Sequence, residues 1–152
     1  ALDEKEKALR YFDMALGLNP DLPEALTERG RLLARQGKGE AALASWQRAA
    51  ELAADNPVPL GEAAAWHWQQ EAYGPARRAA EAALRRDADY LPAQFVLGMT
   101  AANLDDAPTA RRWLQRFLQG GDPADPRQVE AQAQLARLPA PPKGKWRRWF
   151  GK

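Results

Sequence analysis

The chain has 152 residues, 45% of them apolar and 28% charged, with 22 Lys and Arg against 20 Asp and Glu, 12 Pro, 11 Gly and no Cys. These figures exclude disulfide and thiolate chemistry, and no run reaches the ~18 apolar residues that a membrane-spanning helix needs. Heavy use of Ala and scarce β-branched residues favour helix, at a size that suits one domain or one short repeat array. No secretory-signal layout stands at the N-terminus. Residue 1 is Ala rather than Met, so a signal, an anchor or further repeats upstream are compatible with the sequence.

In chain order, apolar residues recur at i, i+3, i+4 and i+7, and Pro and Gly clusters interrupt the pattern. A first helix is expected near residues 3–17, before GLNPDLP (17–23), and a second near 24–35, before QGKG (36–39). Helices near 40–53 and 58–71 follow, separated by ADNPVP (54–59). YGP (73–75) opens one near 75–86, and DADYLP (87–92) leads into 92–103. LDDAP (104–108) opens 108–119, where acidic residues suit the capping of free backbone N–H groups. After GGDPADP (120–126) comes a last helix near 127–138. No segment alternates as a strand does.

These helices repeat with a period of 34 residues. Ala8, Phe12 and Ala15 return as Ala42, Trp46 and Ala49, then as Ala76, Ala80 and Ala83, then as Ala110, Leu114 and Phe117. Leu26, Gly30 and Leu33 return as Leu60, Ala64 and His67, then as Gln94, Gly98 and Ala101. This pattern resembles the tetratricopeptide repeat, W-x2-L-G-x2-Y followed by A-x3-F and a small residue. Arg29, His67, Ala101 and Phe117 depart from it.

The resemblance covers Ala1 to about Leu118. It implies an all-α, right-handed solenoid of antiparallel helix pairs with about three and a half repeats and a capping helix. The division expected is 1–22 for the second half of an incomplete repeat, 23–56, 57–90 and 91–122 for full repeats, 123–139 for the cap, and 140–152 for a Pro-rich linker and basic tail. At the N-terminal end, Leu9, Phe12 and Leu16 are expected to be exposed or covered by something outside these residues, with upstream chain or self-association with a second copy as the two candidates.

Catalysis is not expected, and neither is a cofactor or a metal. His67 is the one histidine. Asp105 and Asp106 read as helix-capping acids, and no phosphate-binding loop or nucleophile–base set is present. The resemblance instead implies a concave groove lined by the first helices. Steps of 34 place Thr27, Gly61 and Phe95 in one column, Arg31, Ala65 and Met99 in the next, and Ala34, Trp68 and Ala102 in the third. A partner-binding groove is therefore expected at Arg31, Arg35, Trp68, Phe95 and Met99, basic at one end and an apolar pocket at the other. Some tetratricopeptide domains hold a C-terminal carboxylate with Lys, Asn and Arg on these helices. Here the matching faces carry Thr27, Arg31, Val58, Glu62 and Ala65, so that activity does not carry over.

The function expected is a non-catalytic scaffold that binds a peptide or helix of a partner protein, within a bacterial envelope or secretion-type assembly. The cytoplasm or the membrane periphery is the expected location, with the periplasm an open alternative. A second reading rests on KGKWRRWFGK (143–152), five cations and three large rings without an acid. Its contact residues are Lys145, Trp146, Arg147, Arg148, Trp149 and Phe150, suited to packing on protein or to an anionic membrane surface, and less to nucleic acid.

Overall fold

The computed structural model describes residues 4–140, which form eight α-helices and no strand. They are α1 (Glu4–Leu18), α2 (Pro23–Arg35), α3 (Gly39–Leu52), α4 (Val58–Gln69), α5 (Tyr73–Arg86), α6 (Leu91–Asn103), α7 (Ala107–Gly120) and α8 (Arg127–Arg137). Their ends fall within two residues of those expected from periodicity. Proline explains several starts: α2, α4, α6 and α7 carry Pro in their first two positions, where a missing N–H leaves no bond unmade.

Short turns return the chain on itself, so α2–α3, α4–α5 and α6–α7 form antiparallel pairs. The turn inside each pair is the same device three times. One residue adopts left-handed backbone, at Gly37 (φ 75°), Glu71 (φ 57°) and Asp105 (φ 58°), each 34 residues from the last. The following N–H then reaches back to close the helix, from Lys38 to Leu33 O, Ala72 to His67 O and Asp106 to Ala101 O, each at 2.9 Å. Asp106 goes on to cap α7 by accepting from the Thr109 N–H at 3.2 Å.

First helices stack on first helices: α2 on α4, α4 on α6, and α6 on α8. The last helix thus takes the place that a further first helix would hold. Small residues make the close approaches possible, since Ala42, Ala49, Ala64, Ala76, Ala83 and Ala110 are wholly buried. A Cβ at Gly30 would overlap the Trp46 indole, whose Nε1–H donates to Thr27 O at 3.1 Å.

With α4 on one side, α8 on the other and α5 and α7 behind, α6 buries nine consecutive residues, Ala93 through Ala101. A helix enclosed on every side needs apolar residues all round, and LPAQFVLGMTAAN supplies them. Between pairs, Arg86 at the end of α5 donates to three carbonyls at and just beyond the end of α3, those of Ala50 (3.0 Å), Ala53 (3.0 Å) and Asn56 (2.9 Å). A cation there also meets the negative end of the α3 dipole.

The N-terminal end differs from expectation. Leu9, Phe12 and Leu16 are half-buried, with Leu9 packed towards Leu33, Ala42 and Trp46. The apolar residues left in the open are Tyr11, Met14 and Leu18, one stripe of α1 turned away from α2.

Candidate binding groove

The first helices bring Arg31 and Arg35 from α2 opposite Glu62, Ala65 and Gln69 from α4, around a cavity of about 310 Å³. Trp66, Trp46 and Ala34 add apolar lining. Helical spacing sets this arrangement: Arg31 and Arg35 are four residues apart on α2, and Glu62, Ala65 and Gln69 lie three and four apart on α4.

Arg31 is already engaged. Its Nε and Nη2 donate to Glu62 Oε1 at 2.9 and 2.7 Å, and its Nη1 pairs with Glu28. The hydrogen bonding of Arg31 to the Glu62 carboxylate is the main cause that raises the Arg31 pKa above its ordinary value, and partial burial opposes it. The guanidinium is therefore a strut between α2 and α4 with most of its charge answered. Arg35 is exposed, and among the described residues it has no ion pair. It is the cation that the cavity offers to a ligand.

The apolar pocket expected at Trp68, Phe95 and Met99 is corrected by the structure. Phe95 is 3% and Met99 6% exposed, and both belong to the core around α6. Trp68 is half-buried and meets Phe95 edge-on, with ring centroids 5.6 Å apart and planes at 85°. Phe95 in turn packs on Phe117 at 5.3 Å, and the Arg127 guanidinium covers both rings at 5.9 and 5.6 Å. The small-residue space beside them is filled as well, since a Cβ at Gly61 would overlap the Tyr90 ring. The physical reason is α8: it lies over α6 and closes that end of the groove. Asp125 pairs with Arg127 at 2.6 Å and holds the covering cation in place.

Sequence reasoning missed Trp66, Gln69 and the Arg31–Glu62 pair. Glu28 and Glu62 stand 34 residues apart, and that column of acids beside Arg31 is the signal that would have found the pair. The tail residues Lys145, Trp146, Arg147, Arg148, Trp149 and Phe150 lie outside the described residues.

His67 is half-buried on the other side of α4. Burial first, then the positive charge of Arg78, lowers its pKa below the usual histidine value. Among the described residues no group of three or more His, Cys, Asp or Glu is placed to hold a metal ion, and no helix is long and apolar enough to cross a membrane.

No protein-family model and no curated protein matches the sequence. Solved structures do match in fold. The MamA protein superposes with a TM-score of 0.73 at 16% identity, over 87% of this chain and 70% of that one. YrrB, a TPR protein with an unusual peptide-binding site, gives 0.71 at 24% identity, over 82% of this chain and 62% of that one. The first TPR of Spaghetti (RPAP3), bound to the HSP90 peptide SRMEEVD, gives 0.68 at 21% identity, over 76% and 91%. With its stacked helix pairs, its 34-residue step and these superpositions, the chain has the fold of the tetratricopeptide-repeat (TPR) proteins.

Proposed function

We propose that the chain is a non-catalytic scaffold that holds a peptide or helix of a partner protein against its first helices. The observation that carries this reading is the α2/α4 cavity, where one exposed cation, Arg35, stands beside a half-buried indole, Trp66. Glu62 already answers Arg31 and adds negative charge to the groove, so the ligand is an internal segment with one acidic residue rather than a cluster of carboxylates. A large apolar side chain next to that acid fits the Trp66 wall. The described binding of peptides by YrrB and by the RPAP3 domain supports a peptide as the ligand class. The Ala- and Arg-rich composition is the ground for reading the source as bacterial; an envelope or secretion-type assembly, in the cytoplasm or at the membrane periphery, is the setting proposed with it.

Selection from a displayed random peptide library, followed by anisotropy titration of the winning peptides, tests the proposal. Arg35→Glu and Ala65→Trp are each expected to weaken binding about tenfold or more, which is ~1.4 kcal/mol. Arg35→Glu is expected to leave the melting temperature unchanged, because Arg35 is exposed. Peptides that bind both variants as well as the parent would place the interaction elsewhere.

A further inference from the structure

The solenoid has two layers: the first helices, which line the α2/α4 groove, and the second helices α3, α5 and α7 behind them. Charge is unevenly divided along the second layer. Helix α5 carries four Arg against one acid and α7 three Arg against none, whereas α1 has three acids against three bases and α3 two acids against one Arg. The repeat sets these arginines in register, since Arg77 and Arg78 return one step on as Arg111 and Arg112. Their contacts repeat too. Arg77 Nη1 reaches forward to Asp106 at 3.1 Å, and Arg111 Nη2 reaches forward to the Pro139 carbonyl at 2.8 Å, so α5 and α7 present equivalent faces.

Three of these arginines, Arg78, Arg85 and Arg112, are exposed, and among the described residues they have no ion pair. Acids near them are answered: Glu81 and Asp106 by Arg77, and Asp89 by Arg116. Asp87, Asp105 and Asp122 stand in the turns beyond the helix ends. On α7 the Arg112 and Arg116 guanidiniums lie over the half-buried Trp113 indole, at 5.3 and 5.7 Å from its centre.

We propose that this face of α5 and α7 rests on an anionic lipid surface, with Arg78, Arg85 and Arg112 among the headgroup phosphates and Trp113 at headgroup depth. The unpaired cations are spread out rather than convergent. Arg78 and Arg85 stand roughly 10 Å apart along α5, and Arg112 is on the next second helix, so no single small anion meets all three, while a plane of like charges does. An indole flanked by guanidiniums also suits that interface, the ring at the apolar boundary and the cations in the phosphate layer. A nucleic-acid strand running on along the second layer would meet the exposed Glu40 and Glu51 of α3 instead of further cations. The sequence adds charge of the same sign: after Pro139, held by Arg111, come the five cations and three rings of KGKWRRWFGK. The α2/α4 groove belongs to the other layer, so the inference does not depend on what that groove binds.

The test is co-sedimentation of the full-length chain with vesicles of phosphatidylcholine and phosphatidylglycerol, and with vesicles of phosphatidylcholine alone. The chain is expected to bind the anionic vesicles at low salt, to leave them at high salt and to ignore the neutral ones. Each cation near an anionic surface raises partitioning about fivefold, so Arg78→Gln, Arg85→Gln and Arg112→Gln together should weaken binding at least tenfold with the tail intact. The melting temperature of that variant should hold, because all three side chains are exposed. Should it fail to fold, Gln115→Glu with Gln119→Glu, both exposed on α7, makes the same comparison, with a loss of at least threefold expected. A parent chain that ignores anionic vesicles, or variants that bind them as tightly as the parent, would overturn the proposal. Binding to an oligothymidine at salt that strips the vesicles, lost when the three arginines are replaced, would overturn lipid as the partner and assign the face to nucleic acid.

Discussion

Glu71→Gly is expected to stabilise the fold. Glu71 is exposed, has left-handed backbone (φ 57°), and among the described residues its side chain makes no hydrogen bond. An L-residue pays ~1–2 kcal/mol for that conformation, and glycine adopts it freely. Glycine gives back roughly 0.5–1 kcal/mol through the greater freedom of its unfolded chain. Removing a carboxylate from the negative end of α4 adds ~0.3 kcal/mol in favour of the variant. The net is about 0.5–1 kcal/mol of added stability, or roughly 1–4 °C in Tm for a chain of this size. Urea denaturation followed by circular dichroism at 222 nm measures it, with Gly37→Ala as the opposite control. Gly37 has the same conformation (φ 75°) and nothing within 4 Å of where a Cβ would lie, so alanine there meets no clash and should cost about 1 kcal/mol from backbone strain alone. A neutral or destabilising Glu71→Gly, together with a neutral Gly37→Ala, would refute the claim that these turns share one strained residue.

Trp68→Ala is expected to lower stability by ~2–4 kcal/mol, because the ring packs edge-on against Phe95; a thermal melt that does not move would mark Trp68 as open surface. Arg86→Met should cost about 1.5–3 kcal/mol through the loss of the charged donor to three carbonyls at and just beyond the α3 end, measured by the same denaturation. The depressed His67 pKa makes the unfolded chain the better proton acceptor below pH ~6.5, so this group contributes stability above that pH that is lost as pH falls. His67→Gln should therefore reduce the loss of Tm between pH 7.5 and 5.0, and an unchanged pH slope would count against it.

The 34-residue step made the helices, their pairing and the small-residue contacts legible in the sequence, because each of those depends on residues close in sequence or one repeat apart. What stayed hidden depends on neighbours that a column of equivalent residues does not contain. Phe95 and Met99 fall on the groove stripe by register, yet α8 and Arg127 cover that stretch of α6, and nothing local to α6 announces it. Arg31 was legible as a groove cation, but its partner Glu62 is 31 residues away and comes into reach only through helix stacking. The left-handed turn residues were visible only at QGKG, since Glu71 and Asp105 carry no glycine to mark the conformation. Asp106 was legible as a cap because capping is local.

The enclosure of α6 sets how the molecule comes apart. A solenoid whose helices touch only near neighbours need not open all at once, and its ends can loosen independently. Amides of α6 should exchange with solvent at the slowest rates in the chain, because nine successive residues there are shielded on every side. Those of α1, with Tyr11, Met14 and Leu18 bare and α2 as its packing partner, should exchange fastest among the helices. The α2/α4 groove lies between these extremes. A ligand seated there would tie the loose end to the rigid one, and its binding would be felt first as slower exchange in α1 and α2, far from any change in α6.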